Sequence, residues 1–240
     1  SINNNRPSSK MKKIITLLIL LTSINIFSLE LTEIKGSIAT LTSEIGEMEV
    51  SMTKNEKGYW TLKSYLDGGR IVQRKEEELF IFDSTGIRPT SYSFNQRILF
   101  KRLKSTAQFD WDNKTVSFKE GKKEGKVSLK NKTLGPSTAQ LQLRLDFKNL
   151  DLDNLPPEII YNVYWKGEVK KRSYAILGME NVKTPMGEFL SYKVGRTFPK
   201  GSERSQTFWL APELDFAVIR ILNVDGRKTD IKIKTFKIID

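Results

Sequence analysis

From Leu31 onward, apolar residues recur at every second position in short runs rich in β-branched and aromatic side chains, interrupted by Gly, Asn, Asp and Pro. A period of two places alternate side chains on opposite faces of an extended chain, and the texture is that of antiparallel sheet. Residues 38–52 read as one or two strands and 58–66 as the next, with Asp67-Gly68-Gly69 as a turn whose glycines tolerate positive φ. The run Leu79-Phe80-Ile81-Phe82 predicts a buried strand, Asp83-Ser84-Thr85-Gly86 a turn, and Arg88-Pro89 extended structure. Strands are expected over 98–104, 107–111 and 115–120, with Asp112-Asn113 as a reversal and a basic loop over 121–125. Residues 161–165 and 171–177 bracket Lys166-Gly167-Glu168 as a hairpin, and Thr184-Pro185-Met186-Gly187 is a turn leading into a strand over 189–196. Asp225-Gly226 joins 216–224 to 228–236, the strongest short-range hairpin signal in the chain.

One segment carries two signals. Gly135 interrupts the strand pattern and Pro136 suits the first turn of a helix, which predicts a helix over 136–148. Ala139, Leu141, Leu143, Leu145 and Phe147 nevertheless alternate, which is the period of a strand. Residues 151–157, with two prolines and nearby acids, read as a loop. Together these elements predict a mainly β protein: a single strongly curved antiparallel sheet, or an incompletely closed β-barrel, with one short helix.

The first residues read differently. Met11-Lys12-Lys13 is a short positive stretch, 14–26 is apolar, and Ser28 is a small residue suited to cleavage, so 11–28 reads as a cleavable bacterial secretory signal and 1–10 as a non-native or over-extended segment. The apolar run, broken by Thr22, Ser23 and Asn25, falls short of the roughly 20 residues of a membrane span. A single antiparallel β domain over 29–240, exported to the periplasm, is the expected mature form. Loss of 1–28 removes four cations and no acid, taking the formal charge from +12 to +8. The chain has no Cys and no His. Thiol nucleophiles, Ser-His-Asp catalysis and ordinary zinc sites are thereby excluded, and neither a cofactor nor enzyme activity is expected.

Gly86-Ile87-Arg88-Pro89, Phe109-Asp110-Trp111, Gly135-Pro136-Ser137-Thr138-Ala139, Gly178-Met179-Glu180 with Thr184-Pro185-Met186-Gly187-Glu188-Phe189, and Thr207-Phe208-Trp209-Leu210-Ala211-Pro212 follow one another in an order and spacing that resemble an uncharacterised family of exported bacterial proteins, domain of unknown function 3108. The resemblance implies export and a curved, largely antiparallel sheet, and brings no activity or catalytic residue with it. Members of that family often show Asp-Pro-Leu-Ser where this chain has Gly-Pro-Ser-Thr.

Trp111, Trp165 and Trp209, with Phe208, are expected to line an apolar interior, with Glu180 and Arg196 as its polar members. Ordinary core packing is the competing account of each Trp, and an ion pair with Arg196 or turn hydrogen bonding that of Glu180. Asp110, Asp112, Asp151 and Asp153 match no full calcium loop; Asp112-Asn113 reads as turn chemistry and 151–153 as a solvated loop, so no metal site is expected. Basic runs at 101–104, 119–126, 130–132, 170–172 and 227–237 suit anionic lipid head groups, lipopolysaccharide or an acidic envelope polymer, with peripheral membrane contact and no nucleic acid after export. The leading expectation is therefore a non-catalytic binder of a lipid or anionic envelope component. An assembly protein docking on an outer-membrane partner is the second, and an enzyme acting on envelope polysaccharide through Glu180 and Asp110 the third.

Overall fold

A computed structural model describes residues 33–239. The proposed signal and the segment before it lie outside the described residues. The strands are β1 (Gly36–Ser43), β2 (Gly46–Lys54), β3 (Trp60–Gly68), β4 (Val72–Asp83), β5 (Gly86–Ile98), β6 (Lys101–Asp110), β7 (Thr115–Glu120), β8 (Lys123–Ser128) and β9 (Thr133–Leu134), then, after helix α1 (Pro136–Asn149), β10 (Glu158–Trp165), β11 (Glu168–Thr184), β12 (Gly187–Arg196), β13 (Ser205–Ala211), β14 (Ala217–Asp225) and β15 (Arg227–Ile239). A short 3-10 turn, Pro212–Leu214, follows β13.

All fifteen strands belong to one sheet, ordered β8-β7-β6-β5-β4-β3-β2-β1-β15-β14-β13-β12-β11-β10-β9. Each pairing is antiparallel except the two-residue contact of β9 with β10. The first and last strands thus pair in the middle of the sheet, Gly36 opposite Ile239, while β8 and β9 form its edges. Only four residues, 129–132, separate those edges in sequence, and five residue steps span at most about 18 Å. The sheet must therefore curl until its edges nearly meet.

They meet through side chains rather than a backbone ladder. Tyr164 of β10 packs among Phe109, Val116 and Phe118 of β6 and β7, with Phe109 and Tyr164 edge to face at 5.6 Å. Gly167 lies against the Phe118 ring, where a Cβ would stand 2.7 Å from Cζ. Asn162 Nδ2 donates to the Asn131 carbonyl at 3.1 Å, and Lys130 Nζ to that of Val169 at 3.4 Å. The curved, incompletely closed sheet with one helix is thus the architecture present.

Several boundaries differ from the sequence reading. Strand β4 begins at Val72, seven residues before the apolar run, because charged side chains occupy its inner face. The two strands expected over 98–104 and 107–111 are one, β6, with Ile98 ending β5 and Leu99-Phe100 turning the hairpin. The basic loop at 121–125 is instead a two-residue turn followed by β8, whose lysines guard an exposed edge. Strand β11 runs through 171–177 as far as Thr184, and a bulge between Ile176 and Gly178 lets it bend.

The contested segment is helical. Successive residues rotate by about 100° around a helix, so positions two apart lie on opposite sides. Leu141 and Leu145 pack with Met52, Trp60, Phe80 and Val163, whereas Leu143 and Phe147 pack with Tyr174, Tyr192, Val194 and Phe208. Helix α1 is sandwiched between two regions of the curled sheet, and a helix buried on opposite faces shows apolar alternation without being a strand.

Candidate functional site

The start of α1 is held by a strand. Period-two alternation puts Arg74, Glu76, Glu78 and Phe80 on one face of β4, and that face turns inward. Glu78 is fully buried, and its Oε2 accepts the backbone N–H groups of Ser137 (2.9 Å) and Thr138 (3.2 Å). The Thr138 hydroxyl donates to Glu78 Oε1 and accepts from the Gly135 N–H at 2.8 Å. A carboxylate from another element thus does what a side chain at the N-cap would do, and Gly135 at that position supplies none. The glycine is required for space: a Cβ there would lie 2.1 Å from Glu78 Oε1. Burial pushes the Glu78 carboxyl up to about 7 against the pull of these hydrogen bonds, and the Glu76 charge adds to the rise.

Next along β4, Glu76 accepts from the Ser137 hydroxyl at 2.8 Å and pairs with Arg74 at 2.6 Å. Arg74 lies over the Phe94 ring, 5.2 Å from its centroid, and its buried Nε has no hydrogen-bond partner among the described residues. On α1, Arg144 Nε donates to the Asp215 carbonyl at 2.7 Å, while Arg144 and Lys148 pair with the Asp215 carboxylate at 2.5 and 2.7 Å. Burial raises the Asp215 carboxyl, but the hydrogen bonds and charges of Lys148 and Arg144 outweigh it and hold the group below its usual range. Asp215 and Phe216 both have positive φ, so this ion pair fixes a corner that non-glycine residues rarely adopt.

Between these anchors lies a cavity of about 220 Å³. One wall is the polar stripe of α1 that carries Ser137, Gln140 and Arg144, and the other walls come from β1–β4 and β13–β15. Leu41, Met48, Val50, Met52, Ile231 and Ile233 make much of the lining aliphatic, and Arg74, Glu76, Gln206 and Asn223 add polar groups. An apolar void of ~150 Å³ is large enough to take up benzene, so this one has room for a short aliphatic chain. Glu78 does not line it.

None of Trp111, Trp165, Trp209, Phe208, Glu180 and Arg196, the residues expected to line the interior, lines this cavity. Trp111 is half-buried beside the seam, where its Nε1 donates to the Pro89 carbonyl at 2.7 Å. Trp165 is 37% exposed at the end of β10, with Lys166 Nζ 5.3 Å from its ring. Phe208 is buried against α1. Trp209, one residue on, faces the other way: Arg220 lies 4.5 Å and Lys193 5.6 Å from its ring, and its Nε1 donates to Glu180 Oε1 at 2.7 Å. The partners of Glu180 are therefore Trp209 and, at 3.4 Å, Lys193, rather than Arg196 or the turn, and the Trp209 hydrogen bond holds its carboxyl below the ordinary range.

Arg196 stacks on Phe198 at 4.6 Å, with Arg204 also 5.4 Å from that ring. Burial, and then the positive charge of Arg172 and Arg204, push it down to about 10. Asp110 accepts from Asn113 N and Nδ2, and Asp151 from Asp153 N and Asn154 Nδ2, so both serve turns.

The buried charges of β4, two of them in the cavity lining, had one available signal in the sequence. Arg74, Glu76 and Glu78 share parity with Phe80 and Phe82, and extending the strand backward from the apolar run would have put those charges on the core face.

Among the described residues no helix is long and apolar enough to cross a membrane. A search of curated proteins finds no sequence match. Among solved structures, the chain resembles a β-barrel-like protein of domain of unknown function DUF1849 from Brucella abortus, with 13% identity, a TM-score of 0.53, and coverage of 87% of this chain and 99% of that one. At that identity the likeness concerns the fold alone. A candidate lipoprotein from Parabacteroides distasonis aligns over 85% of this chain and 96% of its own, at 15% identity and a TM-score of 0.26, too low to carry an argument. The family model for proteins of unknown function DUF3108 matches residues 36–232, nearly the whole described sheet, and the chain belongs to that family.

Proposed function

We propose that this protein is a non-catalytic binder of an amphipathic, anionic component of the bacterial envelope, held inside the curled sheet. One observation carries the reading: the 220 Å³ cavity sets aliphatic walls against polar groups that include Arg74 and Glu76 of β4 and Arg144 of α1. Apolar walls favour a hydrocarbon tail through burial, and a few placed polar groups fix its head. Lys63, Arg74 and Arg144 against the one carboxylate of Glu76 give that lining an excess of positive charge, which suits an anionic head.

The interior site proposed here is aliphatic, and no tryptophan lines it. Against a polysaccharide-cleaving reading, Glu180 and Asp110 each have local partners and each is held below the ordinary carboxylate range, opposite to what a general acid needs. Docking on an outer-membrane partner needs no interior void, so the cavity lends that reading no support.

Native mass spectrometry of protein purified without detergent from its own cells tests the proposal by looking for a stoichiometric lipid or other amphiphile. Uptake of the anionic probe 8-anilinonaphthalene-1-sulfonate is a second test. Val50→Trp, which fills the cavity, is expected to weaken probe uptake at least tenfold in a folded protein. Folded protein that carries no adduct and binds the probe equally well with Trp at position 50 would defeat the reading.

A further inference from the structure

The β3–β4 and β5–β6 turns stand side by side at one end of the sheet and are tied to each other. Leu99 N–H donates to the Ile71 carbonyl at 2.8 Å. Arg97 reaches across to the carbonyls of Arg70 at 3.1 Å and Gly69 at 3.0 Å. Leu99, at φ 51°, is the first central residue of the two-residue hairpin loop between Ile98 and Lys101, where positive φ matches the twist of the strands. What this rigid tip presents is apolar: Phe100 is 98% exposed, and Ile71, Leu99 and Ile98 are exposed beside it.

Residues 97–104 hold four cations and no acid. Lys101, Arg102 and Lys104, with Arg70 on the neighbouring turn, form no ion pair among the described residues. An exposed aromatic and three aliphatic side chains ringed by free cations complement a surface that is negative outside and hydrocarbon within. We infer that this double-turn tip docks the protein on an anionic lipid bilayer, with Phe100, Leu99 and Ile71 entering the head-group region and the cations on lipid phosphates. Interfacial segments of this kind combine apolar insertion with charge attraction, and each Lys or Arg near an anionic surface strengthens binding about fivefold. The inference stands on the tip alone and is independent of the cavity.

The apolar stretch at 14–26 would also partition into lipid, so the readout must be local. The absence of cysteine makes this direct: the full chain with Ile71→Cys carries a single nitrobenzoxadiazole label at the tip, and with Lys57→Cys one in the β2–β3 turn at the opposite end of the sheet. Vesicles of phosphatidylethanolamine with one-third phosphatidylglycerol are expected to raise and blue-shift emission at position 71 several-fold and to leave position 57 unchanged. Adding Phe100→Ser, or Lys101→Glu with Arg102→Glu, is expected to increase the lipid concentration needed at least tenfold; these side chains are exposed, so the fold tolerates the changes. An equal response at both positions, an equal response to pure phosphatidylcholine, or none at position 71 overturns the inference. A signal that grows with protein concentration without vesicles also overturns it and makes the tip a self-association surface.

Discussion

Glu78 is a carboxylate asked to stay in the core, and pH should report it. Its value in the fold, about 7, is raised above the ordinary 4.5, so the folded chain binds the proton more tightly than the unfolded one. The associated stability is fully present below about pH 4.5 and is lost as pH rises through 7, a change of roughly 3 kcal/mol. Denaturant titrations should therefore show a midpoint that falls between pH 5 and 8, and Glu78→Gln should flatten the slope; equal slopes would refute the assignment. Gly135→Ala is expected to destabilise by about 1–3 kcal/mol through overpacking, since the added methyl meets a buried carboxylate that has nowhere to retreat. Neither residue was legible as a pair, because 57 positions separate them and only the fold brings them together. The parity of Phe208-Trp209-Leu210 was equally closed to inspection: alternation says that Trp209 opposes its neighbours, but all three are buried, Phe208 and Leu210 with α1 and Trp209 in a separate cluster with Val182, Phe189 and Ile219, and a bulge beside it shifts the register.

At the scale of an element, α1 shows how a correct signal can point to the wrong structure. Alternating Leu141, Leu143, Leu145 and Phe147 are a strand by period, but a helix packed on two sides produces the same spacing, and Pro136 after Gly135 was the better guide. It follows that truncation on either face should hurt comparably. Leu141→Ala and Leu143→Ala are each expected to cost about 2–5 kcal/mol in chemical denaturation, whereas a one-sided helix would lose stability at only one of the two. Gln140→Ala, on the cavity stripe between those faces, should leave stability within about 0.5 kcal/mol while altering ligand uptake.

For the molecule as a whole, the strand texture and hairpin turns were legible, because period and turn chemistry are local properties. The closure was not, since it depends on residues far apart meeting at the seam. Tyr164 is completely buried there, and its hydroxyl accepts from the Gly167 N–H at 3.2 Å. Tyr164→Ala should cost about 3–5 kcal/mol and raise hydrogen exchange in β7, β8 and β10 ahead of β1 and β15, which lie mid-sheet. Uniform exchange across all of these strands would mean that the edges do not open separately.

The pairing of β1 with β15 has a consequence in time rather than in space. As the chain emerges during synthesis, β1 pairs at once with β2 but waits some 190 residues for β15, while β2–β8 and β10–β14 can each zip hairpin by hairpin. The centre of the sheet is therefore the last ladder to form, and loop-closure entropy makes such a long-range step slow. Until residue 227 appears, β1 and β14 both offer unpaired backbone, so the nascent chain is an open template for strand addition by other chains. A chain of this topology should depend on holding factors until its final thirteen-residue strand is released, and deletion of that strand should yield aggregates rather than a smaller soluble fold.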